Sequence, residues 1–368
     1  MLEFFKKRFR SVKAGVDRVL FEMRYWTSCE ILEGNETEAI EDLLQEAPPP
    51  SSTATTQNNI EEEKYDLTII IPAYNAEKWI RKCVDSVINQ ETDYKFWIWI
   101  TDDGSTDKTG AILDSYLPNE KIHMVHQENR GYSGARNIAL RKIFSRYVMF
   151  VDADDILLPG AIEDLLNAAY TFQADIVEGS VIAFREKNKL YDIKRKTEPR
   201  FKGQLIGAPW GKIIASKLFE HVQFPENYWY EDTIINTLIC PQTEKVATIS
   251  NDVYAYSVHP ESITQTHDTN FKRVDSYWIM LLVHEDMKKL GISISLKSYQ
   301  HTMGHIVFTY RRTVLLPENI KKNIFLGTRR FMKENYSKYM NSTNVDYLLA
   351  KAILDKDYKK YCLFCEWK

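Results

Sequence analysis

Between residues 66 and 155, apolar runs alternate with amphipathic runs, and this alternation limits the available folds more than any other feature of the sequence. The runs LTIIIPAY and FWIWITDDGS are typical of buried strands, whereas AEKWIRKCVDSVINQ and DKTGAILDSYL have the apolar spacing of amphipathic helices. Strands that alternate with helices predict an α/β fold, in which a mostly parallel sheet is sandwiched by helices. Because such sheets bind ligands at the carboxyl ends of their strands, we expect the loops PAYN, DDGSTD and DADD to meet in one crevice.

The pattern changes to helices alone beyond about residue 270. The run FKRVDSYWIMLLVHEDMKKL ends at Gly291, and a second periodic run, SLKSYQHTMGHIVFTYRRTVLL, ends at Pro317. A chain of 368 residues exceeds the size at which a single core usually stops growing, about 250–300 residues. We therefore predict an α/β domain over residues 65–268 and a helical C-terminal domain over residues 269–368.

The first 64 residues differ from the rest of the chain in charge and hydrophobicity. Residues 1–30 predict a basic amphipathic helix, and its residues 1–25 would either lie on an anionic membrane surface or pack against the rest of the protein. Residues 31–63 contain nine acidic residues and no Lys or Arg, and they include the run APPPSSTATTQNN. Because such a composition buries little apolar surface, residues 31–64 are predicted to form a linker.

Charge, hydropathy and cysteine usage exclude several classes of protein. A net charge of −3 provides no general attraction to nucleic acid, so no nucleic-acid partner is expected. No uncharged apolar run reaches the length of about 18 residues that a spanning helix requires. Because a secretory signal is also missing, we expect a cytoplasmic protein, peripheral on the inner face of the membrane if the basic helix binds lipid. Five cysteines, with only Cys362 and Cys365 in a CxxC spacing, argue against a disulfide framework or a structural zinc site.

Three carboxylates, Asp152, Asp154 and Asp155, follow the apolar run YVMFV. Carboxylates crowded at the end of a buried strand repel one another and lose hydration, so they are costly unless a cation compensates them. Mg²⁺ and Mn²⁺ prefer oxygen ligands, are often held by one or two carboxylates, and complete their shells with phosphate oxygens and water. The alternative is a solvated acidic turn in which Asp155 caps the following helix.

Several further motifs occur together and in order, namely IIIPAYNAEKWIRKCVDSVINQ, ITDDGSTDKT, ENRGYSGARNIAL, YVMFVDADD, APWGKIIASKLF and FPENYWYED. Through these motifs, over roughly residues 65–266, the sequence closely resembles the family 2 glycosyltransferases of the Rossmann-like GT-A fold. The resemblance implies an inverting transferase of the kind that builds bacterial capsule, exopolysaccharide, lipopolysaccharide or teichoic-acid glycans. The QxxRW motif of processive synthases is absent downstream of Asp232, so we expect the transfer of one or a few sugars.

The resemblance also implies how the donor is bound. Three residues form the loop against the nucleotide base: Pro72, Tyr74 and Asn75. Asp103 accepts a hydrogen bond from uracil, so the expected donor is a UDP-sugar. A carboxylate can accept from the imide N–H that uracil has and cytosine lacks. The aromatic ring of Tyr74 can stack on the base. Arg136, near the start of a helix, is expected to direct its guanidinium toward the diphosphate. Asp102, the neighbour of Asp103, has either a binding role or a structural one.

The same resemblance implies a divalent cation, Mn²⁺ or Mg²⁺, and a single catalytic base. Asp154 ligates the metal directly, Asp152 contacts the metal or the donor ribose, and His259 in VYAYSVHPESITQT offers a third ligand or a phosphate contact. Asp232, which follows Glu231 in YWYED, removes the proton from the acceptor hydroxyl, and one base suffices for inversion. The expected acceptor is a glycan or a lipid-linked saccharide.

Two other functions compete with this one. A sugar nucleotidyltransferase needs a glycine-rich phosphate loop after the first strand, and PAYNAEKW contains no glycine. A catalytically silent nucleotide-sugar-binding subunit of a glycosyltransferase complex would not need Asp152, Asp154 and Asp232 together. Trp210 and Lys212 in PWGK predict an acceptor or phosphate contact, with core packing as the alternative for Trp210.

Overall fold

The computed structural model describes residues 17–18, 20–185, 188–259, 270–340 and 346–368, except for the side chains of residues 61–63. The strands are β1 (Asn59–Ala73), β2 (Phe96–Asp102), β3 (Ile122–His126), β4 (Lys142–Phe150), β5 (Ile156–Leu157), β6 (Ile176–Arg185), β7 (Asn188–Ile193), β8 (Lys212–Ala215) and β9 (Val246–Ser257). The helices are α1 (residues 20–27), α2 (Glu36–Glu46), α3 (Ile80–Ile88), α4 (Thr109–Asp114), α5 (Gly131–Leu140), α6 (Ala161–Phe172), α7 (Asp275–Lys289), α8 (Leu296–Thr313), α9 (Glu318–Met340), α10 (Tyr347–Leu354) and α11 (Tyr358–Trp367).

The described strands form one sheet in the order β3-β2-β1-β4-β8-β6-β9-β5, with β7 paired to β6. Strands β1 to β4 are parallel to one another. Strand β8 is antiparallel to both β4 and β6, and β9 is parallel to β6, so β6 and β9 run in the same direction as the first four strands. The carboxyl ends of these strands therefore point toward one edge of the sheet. The predicted α/β fold with a mostly parallel sheet is confirmed.

The sheet core follows from the apolar runs in the sequence. Ile69, Ile70 and Ile71 in β1 are fully buried, as expected for a central strand with both faces covered. Helix α5 contacts β1, β2 and β4, and helix α6 contacts β6, β8 and β9. The helices place apolar faces against the sheet, and in α3 this face consists of Ile80, Cys83, Val84 and Val87.

The chain divides into two compact units. One unit comprises Pro50–His267 and Leu282–Ser293 and contains the sheet. The other comprises Met1–Pro49, Asp268–Leu281 and Ile294–Lys368, and its described secondary structure is helical. In the helical unit, the Trp278 indole donates to the carbonyl of Ala47 at 2.7 Å, and the ring of Phe325 packs on that of Tyr361. The segment before Pro50 thus belongs with the C-terminal helices.

The predicted linker over residues 31–64 is wrong for a large part of that segment. Residues 36–46 form α2, with Asn35 as a side-chain cap, and α2 packs against α9. Ala39 and Leu43 are buried on the packed side of α2, and β1 begins at Asn59, within the expected linker. The low apolar content of this segment is sufficient for a packed helix, because two small or medium side chains on one face of α2 are buried against α9, which is remote in sequence.

The predicted basic helix over residues 1–30 lies largely outside the described residues, which begin at Asp17. Its described part includes α1, where Phe21 stacks on Trp367 at 4.4 Å between ring centroids and the Tyr25 hydroxyl donates to the carbonyl of Leu348 at 2.6 Å. Packing on α10 and α11 is therefore one role of this helix. Among the residues that the structure describes, no helix is both long and apolar enough to cross a membrane.

Two adjacent leucines of α2 test whether this segment is a packed part of the helical unit. Leu43 is fully buried and Leu44 is 44% exposed. We expect Leu43→Ala to lower the free energy of unfolding by about 2–5 kcal/mol, because it leaves a cavity in the core. Leu44→Ala is the matched control and should change it by less than about 0.5 kcal/mol. Urea unfolding followed by circular dichroism measures both changes. Equal small effects of the two substitutions would show that residues 36–46 are not packed and behave as a linker.

Candidate active site

The carboxyl edge of the sheet carries most of the residues that the sequence singled out. Strands β1, β2 and β3 end side by side at Ala73, Asp102 and His126, so the loops that follow them start together. Asp152 lies two residues beyond β4, and His259 lies two residues beyond β9. Parallel strand direction thus brings residues from separate parts of the sequence to one edge.

Hydrogen bonds lock the loop after β1 to the loop after β2. Asn75 has a positive φ of 47°, which its short polar side chain tolerates. Its backbone N–H donates to Ser105 Oγ at 3.0 Å, and its Oδ1 accepts from the Thr106 N–H at 2.8 Å. Pro72 lies within β1, while the Tyr74 ring is on the surface at 45% exposure. The loop is held rigidly and leaves the Tyr74 ring accessible to a ligand.

Two donors fix the carboxylate of Asp103. Its Oδ1 accepts from Gln127 Nε2 at 2.6 Å and from the Arg130 backbone N–H at 2.9 Å. Asp103 is 2% exposed, so these bonds fix the plane of the carboxylate and leave Oδ2 as the oxygen that can accept from a ligand. The Gln127 amide oxygen is buried without a hydrogen-bond partner among the described residues. Sequence analysis missed Gln127, and its position directly after β3 was the available signal.

Asp102 has a structural role in the same loop. Its Oδ2 lies 2.8 Å from His126 Nδ1, and its Oδ1 accepts from the Ser105 N–H at 3.1 Å. The other imidazole nitrogen lies 3.1 Å from Asp114, and the hydrogen bond with Asp102 is the main reason that the pKa of His126 is raised. Both oxygens of Asp102 are engaged within the protein, which favours the structural alternative over a binding role.

Arg136 occupies the centre of the site and joins two acidic loops. Its two terminal nitrogens donate to Asp152 Oδ1 at 2.9 Å and to Glu231 Oε1 at 2.7 Å. The side chain is buried; burial opposes its charge, but Asp152 and Glu231 more than compensate and raise its pKa. Arg136 thus neutralises two partly exposed carboxylates of the site, and its contact with a diphosphate stays a prediction.

The acidic pair Glu231 and Asp232 lies in a tightly turned loop. Tyr230, immediately before the pair, has a φ of 67°, which is rare for a bulky residue and marks a constrained backbone. Burial raises the pKa of Glu231, the ion pair with Arg136 lowers it, and nearby Asp232 raises it again. Glu231 thus serves the ion pair with Arg136, and Asp232 lies beside it.

The carboxylates after β4 have distinct surroundings. Asp154 Oδ2 lies 2.7 Å from His259 Nε2, and the His259 ring stacks on Trp79 at 4.3 Å between centroids. Burial, and then repulsion from Asp152, raises the pKa of Asp154 despite the imidazole. Asp155 is 1% exposed and accepts at 2.7 Å from both the Tyr254 hydroxyl and the Ser257 N–H.

Tyr254 supports this loop and was not identified from the sequence. Its hydroxyl donates to Asp155 and accepts from the backbone N–H of Asp152 at 3.0 Å. Asp155 therefore fixes the loop through β9 and does not cap the following helix, whose N-cap is Gly160 without a side-chain bond. A fully buried tyrosine at this point in β9 has no recognisable sequence signal, because its partner is 99 residues away.

The donor chemistry of the site fits a hard divalent cation. Among the described residues, no group of three or more His, Cys, Asp or Glu side chains is already arranged to hold a metal ion. However, Asp152 and Asp154 are crowded carboxylates, and His259 Nδ1 is a buried nitrogen without a partner. Mg²⁺ and Mn²⁺ are often held by one or two carboxylates, with substrate phosphates completing the shell, so a complete set of protein ligands is not required.

Two neighbouring residues have mainly structural roles. Lys212 is fully buried; its ammonium lies 2.9 Å from Glu178 Oε2 and donates to the carbonyls of Ile206 and Ala208. A phosphate contact by Lys212 is therefore wrong. The Trp210 indole stacks on Tyr254 at 5.1 Å between ring centroids, in agreement with the packing alternative.

The fold has close counterparts among solved structures. The crystal structure of S. aureus TarS 1-349 in complex with UDP-GlcNAc superimposes with a TM-score of 0.66 and 18% sequence identity. The match covers 81% of this chain and 89% of the TarS chain. At this level of identity the likeness establishes the GT-A fold alone.

The sequence comparisons identify the family. Residues 68–224 match the model of glycosyl transferase family 2. The chain is 33% identical over 220 residues to the glycosyltransferase GlyA of Streptococcus pneumoniae serotype 4, covering 54% of this chain and 31% of GlyA. It is 41% identical over 253 residues to the chondroitin synthase of Escherichia coli, covering 64% of this chain and 34% of the synthase. The chain thus spans about a third of the length of these two relatives.

Residues 68–224 therefore form a domain of glycosyl transferase family 2, and the chain is similar in sequence to a named glycosyltransferase and to a chondroitin synthase. This confirms the resemblance on which the site residues were chosen.

Proposed function

We propose that this chain transfers a sugar from a UDP-sugar to a hydroxyl of a saccharide acceptor, with inversion at the anomeric carbon. The observation that carries the proposal is the bridge of Arg136 between Asp152 and Glu231. It places the acidic loop after β4 next to the pair that contains the proposed base. We assign the reaction to the unit Pro50–His267, Leu282–Ser293, which contains all of these residues.

The distance between the two ends of the donor site supports a nucleoside diphosphate. The Arg130 N–H binds Asp103, and the Arg136 guanidinium binds Asp152. Arg130 is the N-cap of α5, and Arg136 lies six residues further along, within the helix. At 1.5 Å rise per residue, that separation is about 9 Å along the helix. Uracil bound at Asp103 and a diphosphate near Asp152 would span such a distance. The UDP-GlcNAc in the TarS structure supports the same class of donor.

In this mechanism Asp232 is the general base. The acceptor hydroxyl loses its proton to the Asp232 carboxylate while its oxygen forms a bond to the anomeric carbon. On the opposite face, the bond from that carbon to the diphosphate breaks, and UDP leaves with the electron pair. Glu231 is less suited to the role because Arg136 engages its carboxylate. A single displacement with one base accounts for inversion.

Asp152, Asp154 and His259 would hold a Mn²⁺ or Mg²⁺ ion together with the donor. When bound, the cation would neutralise the diphosphate and the charge that grows on it as it leaves. The protein residues position the acceptor and the base, and Tyr254 and Arg136 fix the loop that carries Asp152.

We propose that the reaction is a step in the synthesis of a bacterial surface polysaccharide. The sugar is transferred to a glycan or to a lipid-linked saccharide. The GlyA and chondroitin synthase relatives are bacterial proteins, and one of them is a polysaccharide synthase by name. Helix α1 supports a place at a membrane surface, since Leu20, Met23 and Trp26 are each more than half exposed on its outer side. Aromatic and aliphatic side chains next to Arg18 and Arg24 suit an anionic lipid interface.

Substitution of the proposed base tests the catalytic assignment. Asp232→Asn keeps the size of the side chain but removes the proton acceptor, so UDP release in the presence of acceptor should fall about 10²–10⁴-fold. The affinity for UDP, measured by calorimetry, should stay within about twofold of the parent value, since Asp232 is not assigned to the donor. Glu226→Gln, which affects an acidic residue of the same loop paired with Arg130, is the control. Near-normal turnover of Asp232→Asn would contradict the assignment.

Removal of Asp154 tests the metal. In Mn²⁺, Asp154→Ala should weaken UDP binding about tenfold or more, because a charge-compensating ligand is lost. In EDTA, the parent and the variant should bind UDP with similar affinity. Calorimetric titration under both conditions gives the comparison. An equal loss in both conditions would show that Asp154 acts through the fold and not through a cation.

Membrane association is tested with three exposed side chains of α1. Leu20→Ser, Met23→Ser and Trp26→Ser, combined in the full chain, should reduce flotation with phosphatidylglycerol vesicles, because the apolar side chains that enter the interface are lost. Leu117→Ser changes an equally exposed leucine elsewhere and should have no effect. Identical flotation of both variants and the parent protein would remove the proposal.

A further inference from the structure

A second concave site lies at the amino edge of the sheet, opposite the edge of the acidic loops. Here a cavity of about 820 Å³ is bordered by residues next to the starts of β6 and β9, by part of β4 and by the end of β8. Tyr147 of β4 lines it, and Asp152 is five residues further along the chain. At about 3.3 Å per residue, the two sites are roughly 17 Å apart along this strand. The cavity is therefore separate from the candidate active site. We call it the basic cavity.

Its charge is opposite to that of the chain as a whole. Its lining includes five cationic side chains: Arg146, Arg200, Lys202, Lys217 and Lys245. Among the side chains that the structure describes, the carboxylates in the lining are Asp175 and Glu244, so the described lining has a surplus of three positive charges in a chain whose net charge is −3. Fields from several like charges add within a concave surface and attract anions.

One of the two carboxylates is already neutralised within the protein. Asp175 lies 2.7 Å from Lys217 Nζ, and its other oxygen accepts from the N–H groups of Glu244 and Lys245. The Lys217 ion pair and these hydrogen bonds keep the pKa of Asp175 low despite partial burial. The remaining cations therefore face one carboxylate, Glu244, and an anionic ligand would compensate the surplus.

The cations that remain are attached to a fixed backbone. The segment that carries Arg200 and Lys202 is joined to β9 on both sides of Arg200: Glu198 pairs with Thr248, and the Phe201 N–H donates to the carbonyl of Val246 at 2.7 Å. The Arg146 guanidinium lies over the Tyr170 ring at 5.1 Å. A fixed backbone reduces the entropy that the site loses when it binds a ligand.

The cavity also contains an unused hydroxyl. Ser216 lines it, is 1% exposed, and its Oγ has no hydrogen-bond partner among the described residues. A buried polar group without a partner is unfavourable, and a ligand oxygen would satisfy it. This observation is independent of the charge surplus and points to the same occupant.

We propose that the basic cavity binds a phosphate-bearing saccharide or polyol. Its volume is in the range of small-molecule sites and is larger than a single phosphate requires. No lining residue belongs to the large hydrophobic side chains that are exposed in the described part of the chain, which disfavours a lipid surface as the occupant. Arginine forks and lysine ammonium groups bind the phosphate, and hydroxyls of the ligand face the polar wall. The inference concerns binding and does not depend on the proposed transfer reaction.

Calorimetric titration of the full chain tests the proposal with glycerol 3-phosphate and glucose 1-phosphate as probes, and with glycerol and glucose as neutral controls. We expect the phosphates to bind and the neutral compounds not to bind. Arg200→Ser combined with Lys202→Ser should weaken phosphate binding at least about tenfold, because two charge-assisted contacts are lost. The control combines Lys333→Ser with Lys359→Ser, two exposed lysines of the helical unit, and should bind like the parent protein.

Each outcome decides the proposal. Unchanged binding by the variant at residues 200 and 202, or an equal loss in the control, would overturn it. Inorganic phosphate that binds as tightly as glycerol 3-phosphate would overturn the saccharide or polyol part of the proposal. Binding to phosphatidylglycerol vesicles but to no soluble phosphate would overturn the soluble ligand and indicate a lipid headgroup. UDP affinity, measured in the same variants, should be unchanged, since Arg200 and Lys202 lie outside the candidate active site.

Discussion

The buried guanidinium of Arg136 is the interaction on which the arrangement of the site depends. A buried cation is strongly unfavourable unless it is paired, and Arg136 is paired with two carboxylates from different loops. Asp152 is 16 residues from Arg136 in the sequence and Glu231 is 95 residues away. None of the three charges is compensated without the others, so the loop after β4 and the constrained loop around Tyr230 are held together. The proposed base, Asp232, is positioned by this pairing because it follows Glu231 directly in the sequence.

A layer of supporting residues surrounds the side chains that were expected to contact the donor. Gln127 fixes Asp103, His126 fixes Asp102, and Tyr254 fixes the backbone at Asp152. The first two supports come from β3 and the residue after it, next to β2, whereas Tyr254 comes from β9, which β8 and β6 separate from β4. Pre-organisation of this kind is what allows a displacement reaction to proceed without moving the protein groups that stabilise its charges.

Two sequence-based expectations had to be revised, and both involve partners that are remote in sequence. The linker over residues 31–64 contains a packed helix because Leu43 of α2 buries against α9. Lys212 faces Glu178 in the interior and not a phosphate. The sequence around a charged residue does not show whether an opposite charge lies next to it in the folded interior. Tyr254 was missed because its partner, Asp155, is 99 residues away in the sequence.

The sequence by itself determined the α/β alternation, the mostly parallel sheet, the family and the set of acidic loops at the carboxyl ends of the strands. These features are local, because hydrophobic period and the residues directly after a strand are properties of short segments. Only the tertiary structure decided which oxygens are engaged and which remain for a ligand, as for Asp102 and Asp103. It alone brought together the cations of the basic cavity, which come from β4, from the segments before and after β8, and from the residue before β9. Charge pairing and burial act between residues that are close in space, and spacing along the chain does not encode them.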